Sequence, residues 1–522
     1  MTKKIIIILI AITALCSCSM DRLPEGQIPD AEALVSAKDY ERFGIGLHSI
    51  ARVVTSGDYV ILSDIQLDDF VAILGNGNRR MDFYNGQITP STGEIASIYA
   101  GFYSMIAQAN FLLGHASEAL SANTFSAEEK LIIERAAGQA YFFRAFCYSA
   151  LADRFCPSYI HCDKRAEAGT GLSLQLTYAP TADNSKYPGR SPLTETYEQI
   201  VKDLKTAIQM LEDYEQQTAQ VLGSEKSFVT SDAAKALIAR VYLNMGEYEL
   251  AAEYAQELAP LNGTSRYPLI SNRKTYYNMW RNDTGSEIIW LVSGTYSYHG
   301  SATGVAFCNN EQNPDYVPND DAILLFDVDD TRWYAWFEND DAANNAAKQK
   351  TIRTTTGSAD LFLFAKYPGN PALQDGVSLG SNYINLMKPL RIGEMHLIAA
   401  EANFMLNKEQ EAKEYLRAMA NARNSGQYSA SLTGTTLLEK IRDERRRELM
   451  GEGMRQADLK RWNIGCTRSG AFDEQNSVTI SNNRNMSYEA GDYRLTWPIP
   501  QHEMDINPNL KGQQNVGYDM AE

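Results

Sequence analysis

Several short stretches of this 522-residue sequence hold residue types that could do chemistry. Gly376-Val377-Ser378-Leu379-Gly380 fits the G-x-S-x-G pattern, in which a sharp strand-to-helix turn exposes a nucleophilic serine. Pro371 and Asp375 precede it and Ser381-Asn382-Tyr383 follow, so neither a strand nor a helix is in place to make that turn. His502-Glu503-Met504 lacks the second histidine of a zinc-protease helix. Asp327-Val328-Asp329-Asp330-Thr331-Arg332 lacks the glycine and later ligands of a calcium loop. His161 and Cys162 stand near Cys156, but no paired C-x-x-C supports zinc. A glycosidase needs two carboxylates about 5 to 5.5 Å or about 6.5 to 9.5 Å apart. Nothing in the spacing of the 65 acidic residues marks such a pair. We therefore expect no catalytic residue, no cofactor and no metal.

What the chain does offer is aromatic density. From Tyr296 to Phe337, nine of 42 residues are Phe, Trp or Tyr, about twice the 10% of the whole chain. A sugar ring has an apolar CH face and a hydroxyl rim, so a site that captures it needs flat rings beside polar groups. Gly294-Thr295-Tyr296-Ser297-Tyr298-His299-Gly300-Ser301 supplies both. In strand-like alternation Tyr296 and Tyr298 share a face, with His299 turned away or at a bend. Tyr316 belongs to the same run, and Trp333 and Trp336 fall three apart on one helical face. Phe326, Phe337 and Trp290 are read as core. A second candidate is the loop at 76–87, where Arg80 and Asp82 can hydrogen-bond and Tyr84 can stack. The expected ligand-binding residues are thus Arg80, Asp82, Tyr84, Tyr296, Tyr298, His299, Tyr316, Trp333 and Trp336.

Most of the chain that must position these residues reads as helix. Residues 233–263 place Ile238, Ala239, Tyr242, Gly246, Tyr248 and Ala251 at the offsets of a tetratricopeptide helix pair. A weaker copy spans 398–420, with Ala400 and Ala412 in the small-residue positions. Further amphipathic helices are expected near 94–114, 127–154 and 194–212. The fold class is mainly α: about four helix pairs in a tetratricopeptide-like scaffold, with a loop-rich insertion at 262–384 that contains a few short strands. "EIIWLVS" and "LFLFAKYP" are the strand candidates. Long loops on a rigid frame are a common place for binding surfaces. Glu444, Glu448 and Glu452 recur every four residues among seven Lys and Arg, and this charge balance is read as ion pairing along one helix face.

The N-terminus gives an address. Lys3 and Lys4 precede an apolar run from Ile5 that is too short to span a bilayer and has the order of a secretory signal. Leu15-Cys16-Ser17-Cys18 resembles a bacterial lipobox with Cys18 as the lipidated residue, because the alternative frame sets bulky Leu15 beside the cut. The division expected is a signal peptide at 1–17, a flexible leash at 18–32, N-terminal helices at 33–261, the insertion at 262–384, and C-terminal helices with an extended tail at 385–522. Removing residues 1–17 takes the formal charge from -17 to -19, which argues against nucleic acid. Five cysteines remain beyond Cys18, too few and too scattered for a disulfide scaffold, with a Cys156–Cys162 bridge left open.

Two C-terminal stretches carry a resemblance. "IRDERRRELMGEGMRQADLKRW" (441–462) and "YRLTWPIPQHEMDINPNLKGQQNVGY" (493–518) closely resemble the SusD/RagB family of Bacteroidetes outer-membrane lipoproteins. "YSMIAQAN", "FFRAFCYSAL", "TYEQIVKDLKTAI" and "PLRIGEMHLIAAEA" match in order along nearly the whole mature chain. The resemblance implies a tetratricopeptide-like lipoprotein on the cell surface, touching the membrane through its lipid anchor alone. It also implies a partner, a TonB-dependent transporter of the SusC/RagA type, and a nutrient cargo that is usually glycan and sometimes peptide. The expected function is non-catalytic glycan capture; the alternatives are peptide capture or, in another class, a surface glycoside hydrolase.

Overall fold

The structure is a computed structural model and describes residues 32–307, 313–337, 349–374, 383–426, 428–429, 431–471, 473, 477–480 and 486–518. The scaffold helices are α1 (Ala37–Val54), α2 (Asp58–Gln66), α3 (Gly93–Ser121), α4 (Ala127–Phe155), α5 (Leu193–Gln217) and α6 (Ser231–Met245). They continue as α7 (Tyr248–Leu258), α8 (Ile392–Met405), α9 (Glu409–Arg423), α10 (Gly434–Leu449) and α11 (Arg455–Trp462). Each lies on the next: α3 on α4, α4 on α5, α5 on α6, α6 on α7, α7 on α8, and α8 on both α9 and α10. This is the tetratricopeptide-like arrangement expected from the sequence.

Local chemistry sets where the helices begin and end. Ser126 and Glu129 form a reciprocal capping box at the start of α4, with Ser126 N–H donating to Glu129 at 2.8 Å. Thr230 caps α6, and Gly246, in the left-handed region at φ 77°, ends it so that α7 can begin two residues later. Helices α6 and α8 are buried almost all round, because each is sandwiched by neighbours on both sides. The periodicity places α10 over Glu444, Glu448 and Glu452, but the helix stops at Leu449. Gly451 and Gly453 turn the chain at φ 75° and 76°, so Glu452 leaves the helix face.

The insertion is pinned to the scaffold by short antiparallel ladders. Strand β1 (Phe70–Ala72) pairs with β3 (Tyr316–Pro318), and β2 (Ile288–Trp290) with β6 (Leu390–Arg391). The hairpin β4 (Gln349–Arg353) with β5 (Ser358–Phe362) lies inside the insertion, and β7 (Cys466–Thr467) pairs with β8 (Ser487–Tyr488) near the tail. The "LFLFAKYP" strand candidate therefore begins earlier and ends at Phe362. Trp280, Trp290, Trp333 and Trp336 join the same hydrophobic core as the helices.

Buried ion pairs reinforce this joint. Arg332 of the insertion, Arg391 of β6 and Arg423 of α9 all donate to Glu448 of α10, at 3.2, 2.7 and 2.9 Å. Arg423 also donates to Glu287 at 2.7 Å. Burial alone would push the Glu448 carboxyl up; the arginines, Arg423 foremost, outweigh it and hold Glu448 well below the usual carboxylate range. Replacing such a cluster by packed hydrophobes can be neutral, but removing one partner leaves a buried charge uncompensated.

Candidate functional site

The corner between α1 and α2 organises the exposed aromatic loop. Arg52 Nε donates to Ser293 O at 2.6 Å, Ser56 Oγ accepts from Ser301 N–H at 2.8 Å, and Gly57 N–H donates to Thr303 Oγ1 at 2.9 Å. Gly57 has φ 56°, and a Cβ there would come within 2.8 Å of Ser301 Cβ, so glycine serves both the turn and the close approach. Between these clamps, Thr295 and Tyr298 exchange backbone hydrogen bonds of 2.8 and 3.0 Å. The segment is therefore a tight turn, not the alternating strand its sequence suggests. It presents Tyr296 at 51% and Tyr298 at 70% exposure. His299 Nδ1 lies 2.8 Å from Gly300 O, and the ring is half-buried.

The same corner holds the second predicted loop. Asp58, in the first turn of α2, accepts from Arg80 Nε at 2.6 Å, and Asp315 accepts from Arg79 Nε at 2.8 Å. Arg80 itself is left-handed at φ 59°. Its guanidinium therefore bridges α2 towards β3 and already holds protein partners, while Asp82 is exposed. The 293–303 and 76–84 loops thus brace on consecutive residues, Ser56, Gly57 and Asp58. Local sequence patterns gave no sign of Arg52, Ser56, Asp58 or Thr303, because their partners lie 241, 245, 22 and 246 positions away.

Four of the predicted stacking residues lie in the interior and need correction. Tyr84 and Tyr316 are fully buried with ring centroids 6.0 Å apart, and Arg468 lies over the Tyr84 ring at 4.1 Å. Trp336 is fully buried against Trp280 and Phe364, with Lys366 Nζ 4.2 Å from its ring centre. Trp333 packs on Phe337 and Phe362. The physical reason is apolar area: rings rich in CH surface leave water wherever the fold offers a partner, and the helix bearing Trp333 and Trp336 faces inward. Trp290, Phe326 and Phe337 are core, as the sequence reading has them.

The chemically suggestive motifs resolve simply. Asp330 caps the Thr331–Trp336 helix and pairs with Arg332 at 2.8 Å. His161 Nε2 lies 3.0 Å from Arg461 O, and Cys156 and Cys162 are free thiols in the structure. Among the described residues no group of three or more His, Cys, Asp or Glu is placed to hold a metal ion. No helix among them is long and apolar enough to cross a membrane. Gly376 to Gly380 and Cys18 lie outside the described residues.

Comparison with known proteins places this geometry. The SusD family model matches residues 242–518, and a second model, described as "Starch-binding associating with outer membrane", matches 61–243. SusD-like protein P2 of Formosa agariphila is 26% identical over 485 residues, covering 85% of each chain. A SusD superfamily protein of Bacteroides thetaiotaomicron superposes with TM-score 0.75 at 26% identity, over 92% of this chain and all of the other. A SusD-like carbohydrate binding protein of Bacteroides vulgatus does so with TM-score 0.72 at 18% identity, over 93% of this chain and all of the other. With more than half of its length matched by that family's own model, the chain belongs to the SusD family.

Proposed function

We propose that this protein captures glycan at the cell surface without catalysis and passes it to a TonB-dependent outer-membrane transporter of the SusC/RagA type, anchored through a lipid on Cys18. The observation that carries the reading is the Tyr296–Tyr298 turn: two exposed rings on a loop fixed at both ends to the α1–α2 corner. A pre-formed aromatic turn suits a sugar CH face and loses little entropy on binding. Family membership supports outer-membrane location and a carbohydrate cargo. In this reading Tyr296 and Tyr298 supply the stacking face, with His299 and Asp82 as candidate polar contacts and Arg80 as a brace.

The test is calorimetry of residues 19–522 against polysaccharides, host-type glycans and short peptides, with product analysis of each glycan mixture. Binding of one glycan without cleavage supports capture. Cleavage replaces the reading with a hydrolase, and binding of peptide alone replaces the cargo.

A further inference from the structure

A separate pocket opens between α3 and the C-terminal tail, sharing no residue with the α1–α2 corner. It encloses about 190 Å³ and is walled by Tyr103 of α3, Tyr187 of the segment before α5, and Ile506 and Leu510 of the tail. Tyr99, also in the lining, packs against Tyr103 with ring centroids 4.6 Å apart and planes tilted by 34°. The Tyr103 hydroxyl donates to Ser173 O at 3.0 Å and the Tyr187 hydroxyl to Thr181 O at 3.1 Å, which ties each ring to the backbone beside the pocket.

Two polar groups of the lining stand out. Ser173 is 5% exposed, yet its Oγ has no hydrogen-bond partner. A buried hydroxyl left unpaired has lost its hydration with nothing in return. Glu503 is half-buried, and burial pushes its carboxyl up, with the neighbouring His502 only partly opposing. The pocket thus combines two fixed rings, a hydroxyl that needs a partner and a carboxylate poised to accept. Gln175, exposed at the rim, adds an amide. A polyol ring satisfies all of these together: its CH face covers the tyrosines while its hydroxyls donate to Glu503 and pair with Ser173.

We propose that this pocket is a second carbohydrate subsite, taking one pyranose ring of a longer glycan against Tyr103 and Tyr187 with Glu503 and Ser173 as its polar contacts. It rests on the glycan-capture reading and adds to it that the cargo is gripped at two places on the scaffold.

The experiment uses the chain from residue 19 onward, which contains every described residue, with 3-fluorotyrosine placed singly at 103, 187 or 298. Fluorine spectra are followed against neutral oligosaccharides covering α- and β-linked glucans, mannans and xylans, and against a lysine-containing peptide. Shifts at 103 and 187 that persist when Tyr298→Ala is also present support the subsite. Glu503→Gln is expected to weaken that response roughly tenfold, as loss of a charge-assisted hydrogen bond does. A response at 298 alone overturns the subsite and leaves the capture reading standing. A sugar response at 103 and 187 with none at 298 upholds the subsite and removes the Tyr296–Tyr298 turn from the capture reading. Silence at 103 and 187 with every sugar, or a response there to the peptide only, overturns the proposal.

Discussion

Arg332 Nη1 lies 3.2 Å from Glu448 Oε2, tying the insertion to a helix 116 positions further along the chain with both side chains fully buried. Arg391 and Arg423 share the same carboxylate, so Glu448 is the point where insertion, ladder and scaffold meet. Glu448→Ala is expected to lose about 3 to 5 kcal/mol of stability, because three arginines lose their common partner in a dry interior. Denaturant unfolding checks this, and a loss under about 1 kcal/mol would sink the idea.

Acid should weaken the fold through His48. Its Nδ1 faces Gly44 O at 2.9 Å and its Nε2 accepts from Val229 N–H at 3.0 Å, so the neutral ring is fully used and a second proton has no acceptor. Burial first, then the charges of Arg135 and Arg52, bring its pKa down to about 4. The unfolded imidazole takes its proton near 6.5, so stability falls as pH drops from about 6.5 to about 4, by on the order of 3 kcal/mol from this group. His396, also brought down to about 4 by burial, acts in the same direction. Imidazole NMR should find His48 neutral at pH 5; a normal titration there would refute the assignment.

The exposed and buried rings should separate cleanly by phenotype. Tyr298→Ala and Tyr296→Ala are each expected to weaken glycan binding roughly tenfold with an unchanged melting temperature. Trp336→Ala is expected to cost about 3 to 5 kcal/mol of stability. Calorimetry and thermal unfolding of the three variants decide the matter.

The corner should matter without touching ligand. Thr303→Val keeps the shape but leaves the Gly57 N–H without its acceptor, at a cost of about 1 to 3 kcal/mol. Affinity should fall although Tyr296 and Tyr298 themselves are not substituted, because the turn that carries them is no longer held. Unaltered affinity in that variant would show that the clamp does not position the turn.

Reductant should leave the melting temperature unchanged, since Cys147, Cys156, Cys162 and Cys466 are free. Cys156 should also resist alkylation in the native state, being buried with its thiol pushed up by desolvation. Rapid labelling of Cys156 would contradict this packing.

The scaffold was legible because its signals are local. Gly246 and Tyr248 mark a helix pair at fixed offsets, and α3, α4 and α5 fall where the apolar period places them, each running to or beyond the expected bounds. The candidate site was only half legible. Tyr296 and Tyr298 are exposed as a binding turn requires, while Trp336 and Tyr84 carry the same aromatic signal and lie in the core. An aromatic side chain is equally suited to either place, and its own neighbours in sequence do not say which surface will cover it.

The sequence by itself determined the helical scaffold, the family, the acidic charge and the likeness of its first residues to a lipoprotein signal, since each is a matter of residue type at short spacing. Tertiary structure alone decided which rings face water, that Glu452 leaves the helix while Glu448 gathers three arginines, and that Ser56, Gly57 and Asp58 brace two distant loops. The reason is range. Capping, periodicity and turn chemistry act over a few residues, whereas burial and ion pairing depend on partners that only the folded chain brings together.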